Sequence, residues 1–111
     1  MNASAERRKE ARYVVEGLSA EIGGMPVDII DISATAVRLA RPDRPLTFPA
    51  SLQFRLTCER GDRIFLVPAT LVRESANSLV LSYPKPDRDW NAMLARIDTL
   101  GRTQLHAISF E

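Results

Sequence analysis

The stretch Ser51–Glu59, SLQFRLTCE, alternates without a break: Leu52, Phe54, Leu56 and Cys58 fall on one side of an extended chain, and Gln53, Arg55, Thr57 and Glu59 on the other. Side chains of a strand point alternately to opposite faces, so this segment predicts a strand with one face in a core and one in water. Working outward, Arg60-Gly61-Asp62 turns the chain into RIFLVPATLVRE (63–74), and SANS (75–78) turns it again into SLVLSY (78–83). An adhesion motif is the other reading of Arg-Gly-Asp, but between two strands Gly and Asp serve as turn residues. Upstream, YVVEGLSAEI (13–22) and MPVDIIDI (25–32) read as two strands joined by Gly23-Gly24, because glycine accepts the positive φ of a tight hairpin. VRLA (37–40) reads as a short further strand, closed by RPDRPLTFPA (41–50), whose prolines withdraw the donors a sheet needs.

The period changes near the end. In DRDWNAMLARIDTLG (87–101), Trp90, Met93, Leu94 and Ile97 recur at helical spacing, with Asp87 or Asp89 placed to cap the start and Gly101 to stop the helix. Its apolar stripe is expected to cover an open face or end of the β-structure. The last stretch, RTQLHAISFE (102–111), reads equally as a strand or a loose tail. The expectation is a mainly β fold, a six-stranded antiparallel β-barrel with a C-terminal α-helix. Residues 1–12, which lack apolar periodicity, are expected to form a flexible arginine-containing segment ahead of a single domain at 13–111.

Composition narrows the function. With 111 residues, 45% of them hydrophobic and 26% charged, the chain has the makeup of one soluble globular domain. Apolar runs such as Ile64–Val67 are too short to cross a bilayer, and the N-terminus lacks the apolar middle of a signal peptide, so a cytoplasmic location without membrane insertion is expected. Cys58 has no partner for a disulfide, and with His106 the only histidine no metal site is expected. A net charge of +1 argues against a general nucleic-acid binder; any anion site must be local. No Gly-rich phosphate loop or paired-carboxylate motif is present, and His106 stands near no nucleophile signature, so binding rather than catalysis is expected.

Two short stretches carry chemistry. ERRKEARY (6–13) places Arg7, Arg8 and Arg12 ahead of the first strand. In a helix Arg8 and Arg12 would share a face at i and i+4, a repulsive pair that a bridging anion would stabilise. Arginine suits phosphate, because its planar fork donates paired hydrogen bonds and its flat face stacks on a purine. The plainer reading is a solvated charge run partly neutralised by Glu6 and Glu10. In DIIDISATAVRL (28–39), Asp31, Ser33 and Ala36 follow an apolar strand at the spacing D-x-S-x-x-A. A carboxylate accepts two hydrogen bonds from the N1–H and exocyclic amine of guanine, a donor pair that adenine lacks. The plainer reading is an Asx or ST turn closing a strand. Arg38, Arg41 and Arg44 either extend a basic rim near this motif or serve solubility.

Together, RRxxxR before the first strand and D-x-S-x-x-(small) before VRL resemble the PilZ domain family of bacterial cyclic di-GMP receptors. The resemblance extends over most of the chain, including LVR at Arg73 and the late helix. It implies a six-stranded barrel whose arginine segment folds over cyclic di-GMP. Arg8 and Arg12 match the pair that grips phosphate and guanine, Arg7 the arginine that often precedes it, and Asp31 and Ser33 the guanine-reading positions. Ala36 departs from the family glycine; if that position required positive φ, alanine would cost on the order of 1 kcal/mol. The implied function is a signalling receptor or adaptor whose N-terminal segment orders over the nucleotide and presents a surface to a protein partner, as a monomer or a ligand-linked dimer. The alternative is a degenerate interaction module that binds no nucleotide.

Overall fold

The computed structural model describes residues 11–57 and 61–97. They form seven antiparallel strands, β1 (Leu18–Ile22), β2 (Met25–Val27), β3 (Ile29–Ile32), β4 (Ala36–Ala40), β5 (Ala50–Leu56), β6 (Arg63–Glu74) and β7 (Ser78–Ser82), followed by one helix, α1 (Trp90–Arg96). The sheet runs β2-β1-β5-β6-β7-β4-β3. Its two edge strands are consecutive in sequence and joined by Asp28 alone, so the sheet curls into a nearly closed barrel. The class is the expected one, with seven strands in place of six because MPVDIIDI divides at Asp28, whose carbonyl accepts from the Ala40 N–H at 2.8 Å.

The alternation of β5 is realised in space: Leu52, Phe54 and Leu56 are buried while Ser51 and Arg55 are exposed. The twelve-residue β6 joins the two halves of the barrel, pairing with β5 through Ala69 and with β7 from Thr70 onward. Pro68 falls just before the second ladder begins, where its missing N–H disturbs least. Gly23 and Gly24, at φ of 58° and 83°, make the β1–β2 hairpin as expected. Gly17, at φ of 82°, breaks the stretch read as one strand from Tyr13, leaving Tyr13 in an isolated bridge to Ile32.

Trp90, Met93 and Leu94 of α1 are buried and Ile97 packs against the same core, so the helix covers the barrel. Trp90 meets Phe54 at 5.4 Å and Phe65 at 4.9 Å between ring centroids, distances at which tilted and edge-on aromatic pairs add to simple area burial. Asp89 occupies the N-cap position without a side-chain capping bond; the Asp87 carboxylate instead accepts the Asp89 N–H at 2.8 Å. The expected stop at Gly101, the final stretch with His106, and Cys58 lie outside the described residues.

Candidate functional site

The site is built where the chain enters the barrel. Tyr13 and Ile32 exchange backbone hydrogen bonds at 2.7 and 2.9 Å and both side chains are buried. Because neighbours alternate in facing, this bridge leaves Arg12 exposed beside the end of β3. A β-bulge in β3 turns Asp31 outward as well, where it is half-buried. Ile29 pairs with Leu39 and Asp31 with Arg38, so Ile30 is the extra residue of the bulge. Without it Asp31 would oppose the inward Val37; with it Asp31 faces outward opposite Arg38, and Ile30 is left 42% exposed.

Ser33 begins the turn into β4. Its N–H and hydroxyl both donate to the Ala36 carbonyl, at 2.8 and 3.2 Å, and the residue is buried. The turn is held from the core side. The Tyr83 N–H donates to the Thr35 carbonyl at 3.0 Å, the Tyr83 hydroxyl donates to the Ser33 carbonyl, and the Trp90 indole N–H donates to the Tyr83 oxygen at 2.8 Å. The helix also reaches the other wall, where the Tyr13 hydroxyl donates to Asn91 Oδ1 at 3.3 Å.

Arg12, Asp31, Ser33 and Ala36 line one concavity of about 40 Å³, together with Val37, Arg38, Arg73 and Val80. A ligand the size of a nucleotide would lie across this surface rather than inside it. Four of the residues singled out in the sequence are thus neighbours; Arg7 and Arg8 lie outside the described residues, as does most of the segment expected to be flexible. Of the suggested basic rim, Arg38 belongs to the concavity, whereas Arg41 and Arg44 stand at a separate one beyond the end of β4. Arg41 is there engaged with the Glu74 carboxylate and donates to the Ser75 carbonyl at 2.7 Å. No described residue other than glycine has positive φ, so Ala36 sits without the backbone strain that a left-handed position would impose. Only its methyl group distinguishes it from glycine there.

Among the described residues no group of His, Cys, Asp and Glu is arranged to hold a metal ion, and no helix is long and apolar enough to cross a membrane. No family model matches the sequence, and no curated protein does. In fold, the chain is similar to the crystal structure of the Legionella uncharacterized protein Lpg0364, with a TM-score of 0.59 over 90% of this chain and 98% of that one, at 15% identity. That likeness supports the barrel architecture.

Proposed function

We propose that the protein is a PilZ-type receptor for cyclic di-GMP, acting by binding rather than catalysis. The observation that supports this reading best is the meeting of Arg12, Asp31 and Ser33 at one concavity, though they come from the entry segment, β3 and the following turn. Asp31 accepts from the Watson–Crick edge of a guanine, while Arg12, with Arg8 and Arg7 preceding it, meets phosphate and stacks on the base. Binding draws the arginine segment onto the barrel, and the new surface is what a protein partner in the cytoplasm reads.

Calorimetric titration of the full chain with cyclic di-GMP tests the proposal. Micromolar or tighter binding is expected, weakened at least about tenfold in Arg12→Ala and in Asp31→Ala, a loss of about 1.4 kcal/mol or more each. Absence of heat from folded protein at high ligand concentration would overturn it. That result would favour the second reading, a nucleotide-blind interaction module, which draws on a different observation: Ile64 and Leu66, outward on β6, are 50% and 66% exposed.

A further inference from the structure

A second bulge, in β6, lies across the sheet from the one at Ile30. Leu71 pairs with Leu81 and Arg73 with Val80, so Val72 is the extra residue and stands 59% exposed. Without the bulge Arg73 would oppose Leu79 and join the inward row; with it, Arg73 faces outward. The two bulges therefore have the same effect. Each turns the charged residue that follows it onto one outer face, and together they complete a single cross-strand row, Asp31 on β3, Arg38 on β4, Val80 on β7 and Arg73 on β6. Strand spacing of about 4.8 Å puts Arg38 and Arg73 about 10 Å apart at the backbone, and Asp31 about 14 Å from Arg73.

The charges along this row are unspent. Asp31 and Arg38 stand directly opposite each other, yet among the described residues neither they nor Arg73 makes an ion pair or side-chain hydrogen bond. The Nε of Arg38 is buried and has no hydrogen-bond partner. Buried polar groups are almost always paired, so an orphaned guanidinium N–H beside a second unpaired guanidinium marks a place for an acceptor. The surface between the two arginines continues past Val80 into a cleft of about 220 Å³ reaching Ser75 and Ser78.

We propose that Arg38 and Arg73 close over Val80 on a phosphodiester of the ligand, so that the nucleotide lies along the row with a guanine at Asp31 and a phosphate toward β6. This rests on the cyclic di-GMP reading and adds to it an orientation and two specific contacts. Val80 between the arginines gives the sugar or base an apolar floor, and the bulges set the distance between base reader and phosphate grip.

The test uses the full chain, with Arg38→Gln and Arg73→Gln, in two arms. Arg73 is exposed, so its variant leaves the core untouched. In the first arm, cyclic di-GMP affinity is expected to fall about tenfold in each variant, with a shallower dependence on salt. Wild-type affinity in either variant overturns the inference while leaving the receptor reading in place. In the second arm, inorganic pyrophosphate is titrated while the arginine Nε–Hε resonances are followed by NMR. Saturable shifts of both Arg38 and Arg73, with the Arg38 shift lost in Arg73→Gln, are expected. Should the wild-type chain not bind cyclic di-GMP, the receptor reading fails and this arm alone decides: coupled shifts uphold the phosphate grip, and unmoved resonances overturn it.

Discussion

Tyr83 donates its hydroxyl hydrogen to the carbonyl of Ser33, 50 positions away in the chain. The same oxygen accepts the Trp90 indole N–H, so one phenol ties the helix to the turn that begins at Ser33. Tyr83→Phe keeps the ring against Phe54, with which it packs edge-on at 5.1 Å, but deletes both bonds. Loss of a buried hydrogen-bonding group of this kind destabilises by about 1–3 kcal/mol. Urea unfolding should show the midpoint shifted down with an unchanged slope, since the surface exposed on unfolding is the same.

Trp90 is the largest fully buried side chain and the only tryptophan. Truncation in Trp90→Ala is expected to remove about 3–5 kcal/mol, and in a domain of this size to lower the melting temperature by more than about 10 °C. Trp90→Phe retains much of the ring packing and should lose less. Circular dichroism through a thermal ramp distinguishes the two, and a similar loss in both would show that the indole N–H matters more than the packed volume.

Ala36→Gly separates strain from obstruction. Since Ala36 starts a strand at ordinary backbone angles, glycine there relieves nothing and should destabilise the fold by about 0.5–1 kcal/mol. Cyclic di-GMP affinity should change by less than tenfold, about 1.4 kcal/mol. A larger gain in the titration would identify the methyl group as a steric block on the ligand.

The Arg41–Glu74 pair is 42% and 47% exposed at its two side chains, and exposed pairs contribute little. Glu74→Gln should cost no more than about 1 kcal/mol in denaturant unfolding, and the difference should shrink in high salt. A loss that persists in high salt would mean the pair is better shielded from water than its exposure implies.

What the sequence disclosed and what it concealed divide along a physical line. The limits of β6 were legible from the turn residues on either side of it, and the buried face of β5 because a two-residue period is a local property, carried by Leu52, Phe54 and Leu56 themselves. Arg12, Asp31, Ser33 and Ala36 were legible as a set through two short spacings. The division at Asp28 and the break at Gly17 were not, since extended apolar residues and a lone glycine fit an unbroken strand equally well. The bulges at Ile30 and Val72 were hidden for a deeper reason: they exist only relative to partners on β4 and β7, and no pattern within DIIDI or ATLVRE reports that register. For that reason Arg38 read as a rim residue grouped with Arg41 and Arg44, and Arg73 as a strand ending.

Strand β6 lends its first half to β5 and its second to β7, so neither half of the barrel owns it. Detaching β1, β2 and β5 would strip one flank of β6, and detaching β3, β4 and β7 the other. Neither group can melt while the rest stays native, and the amides of β6 around Ala69 and Thr70, where one ladder ends and the other begins, should be among the slowest to exchange with deuterium. The molecule should therefore come apart in one cooperative event.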